Sequence, residues 1–442
     1  MKERVLALGA AIAAVLAGFP ACGAGTKAVP ASDFLDSIGT QSAISRRGEK
    51  FEKTVECVKY LGVRWMRSGI EGNVPLEELR KLHDETGVRF SWGFGSGNAD
   101  LPKLIATAHE VAAMGALLAF EGPNEPNNWG ITYRGQKGGR DGTWLPVAEL
   151  QRDLYATVKS DPALKSYPVW SISEEGAESD NVGLQFLTIP PSAGTLLPAG
   201  TRFADCANVH NYIYHPNASG LEENKTWKAA DPTSACKVDG LYGEYGVTWR
   251  KHYQGNSAEA LLTLPRVTTE TGTTIGGAVT EEIQALNLLT LYLDQFKRGW
   301  NHTANYLMRD RSDEGGNQKF GFYAPDYSPR RAAVYLHNLT TILNDDGRAQ
   351  RMGSANYTIS PKPETVHDLL LEKNSGQLEL VVWDERLGSD SDNVKASLGK
   401  TYRGVEVYDP TRGAAAVQSL GDVAEVSLTL SNHPVVIQWP VQ

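Results

Sequence analysis

Ala116-Leu117-Leu118-Ala119-Phe120-Glu121-Gly122-Pro123-Asn124-Glu125-Pro126 is the stretch whose reading decides the fold. Five apolar residues are cut short by Gly and Pro, and two acids follow the apolar run. Its length suits a strand rather than a helix, and a fully apolar run suits a strand covered on both faces, as in a parallel sheet. Leu104, Ala108 and Val111 precede it at helical spacing and stop at Gly115. Leu145 to Ser160 follows it with the same period. Helix, strand, helix is the repeating unit of a βαβ fold.

Working outward, the unit recurs. Phe34–Gly39, Val63–Ser68 and Val88–Phe94 read as the first three strands. Between them lie helical patterns on Phe51, Val55, Val58 and Leu61, closed by Gly62, and on Leu76, Leu79 and Leu82, opened by Pro75 and closed by Gly87. Pro168–Ser173, Phe203–Tyr212, Leu264–Thr269 and Asn305–Arg309 read as strands five to eight. Thr280–Arg298 and Ser328–Leu343 are helices, the former with acids in its first turn and bases in its last. Eight units before residue 348 predict a (β/α)8 TIM barrel. The alternative is a doubly wound open sheet, which usually carries a Gly-rich turn after its first strand; none stands there.

From about Met352 the period changes. Asp368–Glu372, Gln377–Trp383, Asn393–Leu398, Val405–Tyr408, Glu425–Leu430 and Val435–Trp439 are short β-type runs separated by turn residues. They predict a small C-terminal all-β sandwich. The expected division is 1–25 an export signal, 26–348 the barrel and 349–442 the sandwich.

The signal rests on Lys2 and Arg4, the uncharged apolar run Val5–Phe19, and small residues around Cys22. Cleavage near Ala24 is one expectation; lipidation of Cys22, giving a lipid anchor, is the other. Either places the protein outside the cytoplasm. A net charge of −9 excludes a general nucleic-acid binder, since backbone affinity needs clustered positive charge. Cys57 lies on an amphipathic helix and reads as a buried apolar residue. Cys206 and Cys236 are expected to pair as a disulfide. No Cys/His cluster or calcium loop is present in the sequence, so no metal and no cofactor are expected.

In such a barrel, chemistry sits where strands end at their C-terminal face. Glu125 follows the fourth strand and Glu270 ends the seventh, in Thr268-Thr269-Glu270-Thr271-Gly272. Two facing carboxylates suit glycosidic bond cleavage: one protonated to release the leaving oxygen, one ionised. Arg67 ends the second strand, and His210 and Tyr212 end the sixth. Trp129, Tyr133 and Trp144 lie in the loop after strand four, and Trp92 at the end of strand three. Each reads either as a sugar-stacking platform or as a buried anchor. Glu121 reads as a buried, paired carboxylate, and His302 and His337 as structural.

Asn124-Glu125-Pro126 after an apolar strand resembles the acid/base motif of glycoside hydrolase clan A, the retaining barrel enzymes. Glu270 is similar to their nucleophile, and the likeness runs over residues 30 to 345, with family 39 the nearest. The resemblance implies an exported hydrolase acting on an oligo- or polysaccharide by double displacement. Glu125 would be the acid/base, Glu270 the nucleophile, and Asn124 a partner of the sugar hydroxyl beside the anomeric carbon. His210 and Tyr212 would be the clan's strand-six pair, with the Tyr hydroxyl near the nucleophile, and Arg67 would keep the nucleophile ionised. Several families of the clan carry a Trp at the end of strand eight; here either Tyr306 is its substitute or the sugar floor comes from elsewhere. A transglycosylase using the same glutamates, and a barrel that binds carbohydrate without cutting it, are the alternatives. The sequence leaves open the sugar, the linkage, endo or exo action and the oligomeric state.

Overall fold

The computed structural model describes residues 25–68, 74–173, 197–216, 220–232, 262–313, 318–345, 347, 352–388 and 390–440. The expected signal, with Cys22, and Cys236 lie outside the described residues. No helix among the described residues is long and apolar enough to cross a membrane.

Eight parallel strands form one sheet: β1 Ile38–Gln41, β2 Trp65–Arg67, β3 Arg89–Phe94, β4 Leu117–Pro123, β5 Val169–Trp170, β6 Ala207–Asn208, β7 Arg266–Thr271 and β8 Trp300–Asn305. Their order is β5-β4-β3-β2-β1-β8-β7-β6. A parallel bridge between Trp170 and Cys206 joins the two ends, with Ser171 N–H donating to Cys206 O at 3.0 Å. The sheet is therefore a nearly closed TIM-like barrel. Around it run α1 Phe51–Leu61, α2 Leu76–Thr86, α3 Leu101–Ala113, α4 Leu145–Ser160, α5 Lys225–Ala229, α6 Glu281–Lys297 and α7 Arg331–Ile342. Gly62 and Gly87 end α1 and α2 in the left-handed conformation, φ 71° and 73°, which costs a Cβ-free residue little. Asp100 and Thr280 cap α3 and α6 through their side chains.

Two strands depart from expectation. Ala31–Ser37 is helical and β1 begins only at Ile38. Pro30 opens that helix, and adjacent apolar residues Phe34 and Leu35 fit a helix as well as a strand. The eighth strand is Trp300–Asn305, not Asn305–Arg309. Gly299, at φ 99°, turns the chain straight from α6 into the sheet. Asn301 and His302 broke the apolar pattern, yet His302 packs edge-on to Trp65 and tilted against Trp170, with ring centroids 5.5 and 5.3 Å away.

Those two indoles fill the lower part of the barrel, with Leu118, Ala119, Cys206, Val267 and Ala304. A Cβ on Gly39 would fall 2.2 Å from the Trp65 ring, so glycine makes room for the indole. Cys206 is a free, buried thiol in this layer. Its expected disulfide partner, Cys236, lies outside the described residues; within the barrel Cys206 packs as a small apolar group, with burial pushing its thiol up to about 12. Cys57 is likewise free and buried.

The C-terminal region holds β9 Thr358–Ser360, β10 Val366–Glu372, β11 Leu378–Asp384, β12 Asp392–Tyr402, β13 Val405–Tyr408, β14 Ala416–Leu420, β15 Val423–Leu430 and β16 Pro434–Trp439. One sheet runs β10-β11-β16-β13-β14, the other β9-β12-β15. Alternation splits the first sheet between two cores. Leu370, Leu380, Val382 and Ile437 face the second sheet. Leu369, Leu371, Val381, Trp383 and Val436 join the barrel's core. Val29–Pro30 adds a parallel strand on β10, and Thr26–Lys27 pairs with Ser354–Ala355. The residues directly after the expected signal thus belong to the β sheets rather than the barrel.

Candidate active site

Above the indole layer the barrel interior turns polar. Arg67, on β2, is fully buried. Its Nε donates to Glu121 Oε1 and Oε2 at 2.8 and 3.1 Å, and its Nη2 to Glu121 Oε1 at 2.5 Å. Ser91 Oγ donates to the same carboxylate. Glu121 is therefore the buried, paired acid expected from sequence. The guanidinium reaches further: Nη2 donates to Asn124 Oδ1 at 2.6 Å, and Nη1 to Glu270 Oε1. Burial opposes its charge, but Glu121 and Glu270 outweigh that and hold Arg67 protonated.

Glu270, at the end of β7, also accepts from Tyr212 Oη at 2.8 Å. Burial, reinforced by Glu125, raises its carboxyl above the ordinary range, against the pull of His210, Arg67 and Tyr212. Tyr212 itself stays protonated, its phenol held well up by burial and by Glu270, so it acts as a donor.

Glu125 sits past the end of β4 with φ +40°, where a side chain is strained and the backbone must be held. Its N–H donates to Ser173 O at 2.9 Å beyond β5, and its carbonyl accepts from Asn128 and Trp129 N–H at 2.8 and 2.9 Å. Its carboxyl meets three donors: His210 Nδ1 at 2.6 Å from Oε1, and Asn128 Nδ2 and Trp129 Nε1 at 3.2 and 3.1 Å from Oε2. Glu125, His210 and Glu270 converge, their nearest donor atoms all within 4.8 Å of one another. By type these three could ligate a divalent cation. The Arg67 guanidinium already placed on Glu270 is a positive charge that disfavours a second there.

Seven of the expected residues thus gather: Arg67, Asn124, Glu125, Trp129, His210, Tyr212 and Glu270. Trp129 is 56% exposed beside Glu125. Tyr306, directly after β8, packs at 6.2 Å from Tyr212, with Phe320 at 5.0 Å from Tyr212, as an aromatic side to the site. Trp92 is not brought in. Strand alternation turns Ser91 inward and Trp92 outward, where its indole donates to Thr107 on α3. Tyr133 is a buried anchor, its hydroxyl on Asp153, and Trp144 packs against the core. His337 stacks on Tyr60 at 4.0 Å.

Sequence reasoning missed Phe320, His215, Asn208 and Thr269. His215 packs 5.9 Å from Phe320 on a loop with no periodic signal. Thr269 adjoins Glu270 and could have been found by asking what lines β7; its hydroxyl lies 3.0 Å from His210 Nε2.

No family model matches the sequence, and no curated protein matches it. Solved structures match its fold. A family 39 glycoside hydrolase from the gut symbiont Bacteroides cellulosilyticus WH2 superposes with a TM-score of 0.56 at 15% identity, over 92% of this chain and 81% of that one. CelM2, a bifunctional glucanase-xylanase from a metagenome library, gives 0.54 at 12%, over 95% and 99%. The GH51 arabinofuranosidase from Xanthomonas axonopodis pv. citri gives 0.53 at 12%, over 93% and 97%. At such identities the likeness is one of fold: this chain has the barrel-plus-β architecture of clan A glycoside hydrolases, family 39 among them.

Proposed function

We propose that the protein is an exported retaining glycoside hydrolase acting on an oligo- or polysaccharide. One observation carries this reading: Glu125 and Glu270 face each other with oxygens within 4.8 Å. Oxygens this near fit the carboxyl separation of about 5–5.5 Å that double displacement uses better than the about 6.5–9.5 Å of inversion.

The partners divide the roles. Glu270 receives a guanidinium N–H and a phenol O–H, which favour its ionised form and aim it as nucleophile. Glu125, beside the exposed Trp129, is the acid/base. In the first step Glu270 forms a bond to the anomeric carbon as the glycosidic C–O bond breaks, and Glu125 gives its proton to the leaving oxygen. In the second, Glu125 takes a proton from water, whose oxygen attacks the anomeric carbon and frees Glu270. Asn124 Oδ1 is occupied by Arg67, so its amide N–H group is the one left to donate to a sugar hydroxyl. The N-terminal segment and its apolar run support export. The structural neighbours, all named as glycosidases of different specificity, support the reaction class and leave the sugar open.

The test is reducing-end release over a broad glycan panel, wild type beside Glu270→Gln. Activity on one glycan that vanishes in the variant is expected. Glu125→Ala should lose about 10²–10⁴-fold, with azide restoring turnover of activated aryl glycosides. Inverted product by NMR would sink the double displacement.

A further inference from the structure

We infer that Asn208 and Thr269 are positioning residues that fix the tautomer of His210, and through it the proton affinity of Glu125. The inference rests on the acid/base role given to Glu125 above.

The argument starts at two backbone groups whose roles cannot be exchanged. Thr269 N–H, always a donor, lies 3.2 Å from Asn208 Oδ1. Ser171 C=O, always an acceptor, lies 3.4 Å from Asn208 Nδ2. Together they set which end of the amide is oxygen. Asn208 Nδ2 therefore donates to Thr269 Oγ1 at 3.0 Å. The hydroxyl must then place its own hydrogen. Asn208 Oδ1 lies at 3.3 Å and already accepts the backbone N–H. His210 Nε2 lies at 3.0 Å and is the better acceptor. Thr269 O–H thus donates to Nε2, which must be bare.

His210 is buried and held neutral, burial carrying it down to about 4. A neutral imidazole has one proton, so that proton is on Nδ1, 2.6 Å from Glu125 Oε1. Asn208, Thr269 and His210 are all buried, at 2%, 0% and 1% exposure, so water does not scramble the chain. The other charged groups around His210 are Glu270 Oε2, 3.6 Å from Nδ1, and Arg67 and Glu121 beyond. None of them touches Nε2, so Thr269 is the group that keeps that nitrogen bare, while Glu125 Oε1 accepts the proton on Nδ1. The consequence is a neutral N–H aimed at Glu125, where negative charge develops as the acid gives up its proton.

Removing the hydroxyl lets the proton move to Nε2, and bare Nδ1 then favours protonated Glu125. In Thr269→Val the basic limb of the pH–rate profile should therefore move up by about half to one unit, and Thr269→Ser should restore it. Asn208→Ala, which frees the hydroxyl to turn, should move it less in the same direction. Long-range ¹H–¹⁵N spectra of ¹⁵N-His protein, with His210 assigned by its loss in His210→Gln, read the tautomer without any substrate. Nδ1–H in wild type and Thr269→Ser, with Nε2–H in Thr269→Val, is expected. The same tautomer in all three, or an Nε2–H wild type, overturns the inference. A tautomer change in a protein that cuts no glycan would uphold it while removing the glycosidase reading.

Discussion

At the residue scale, one guanidinium organises the site. Arg67 holds Glu121 on one side and Glu270 on the other, so the proposed nucleophile is tied to the barrel's interior by a fixed positive charge. Tyr212 adds the second donor. Its removal has a signed effect. In the proposed double displacement Glu270 must be ionised to attack, and burial already lifts its carboxyl above the usual range. In Tyr212→Phe the hydrogen bond that favours the ionised form is gone, and the carboxyl rises further. Activity is then lost earlier on acidification. A hydrogen bond to a charged group contributes about 1.5–3 kcal/mol, so the acidic limb of kcat/KM against pH should move up by about one unit or more. A limb that stays in place would show that the phenol does not govern Glu270. The basic limb, assigned to Glu125 in the proposed mechanism, should not follow.

At the element scale, the barrel strands put the carboxylates where they are, and β4 does so under tight constraint. A Cβ on Gly122 would fall 2.0 Å from Gln151 Oε1 and 2.8 Å from Ile172 N. Gln151 is buried on α4, its amide bridging Trp170 O and Phe203 O. Gly122→Ala must therefore push β4 away from β5 and α4. Overpacking of this kind costs about 1–3 kcal/mol. It also shifts the turn that holds Glu125 at positive φ three residues later. Thermal unfolding should report the lost stability. Activity of the still-folded fraction should fall far more than that of an equally destabilised helix-cap variant such as Thr280→Ala. Equal losses would separate β4 packing from the site. Strand ends were also where the sequence was most readable. Glu125 follows an apolar run closed by Gly122 and Pro123, and Glu270 stands at the end of β7, two residues before Gly272. The eighth strand was misplaced because its interior residues, Asn301 to Thr303, are polar: in a barrel, one strand face meets other side chains in the lumen and need not be apolar. The short β5 and β6 were expected too long, since only two residues of each enter the ladder. Trp92 was misassigned because an end-of-strand position says nothing about facing until the register is known.

At the scale of the whole molecule, barrel and β sheets share a core. Trp383 on β11 is fully buried, and its indole N–H donates to Asp294 Oδ1 on α6 at 2.9 Å. Next to it, Glu385 accepts the N–H groups of Thr226 and Trp227 at the start of α5, both at 3.1 Å. Burial raises the Glu385 carboxyl, against the pull of Asp294, Thr226 and those backbone donors. Burial and the neighbouring Glu385 raise Asp294 further, well above the usual carboxylate range. Asp294 therefore keeps its proton to higher pH than a free carboxyl, beside Glu385 at the seam. A carboxyl raised on folding contributes stability below its unfolded value and loses it as pH rises toward its folded value. Wild-type stability should carry this loss from about pH 4 upward, by up to about 1.4 kcal/mol per pH unit while Asp294 stays protonated. Asp294→Asn keeps an acceptor for Trp383 and an N–H for Glu385 but has no proton to lose. The Tm of the variant minus that of wild type should thus climb with pH between 5 and 8. An offset that is flat, or that shrinks as pH rises, would mean the seam holds two charges without cost, and that the join between barrel and β sheets does not depend on the Asp294 proton.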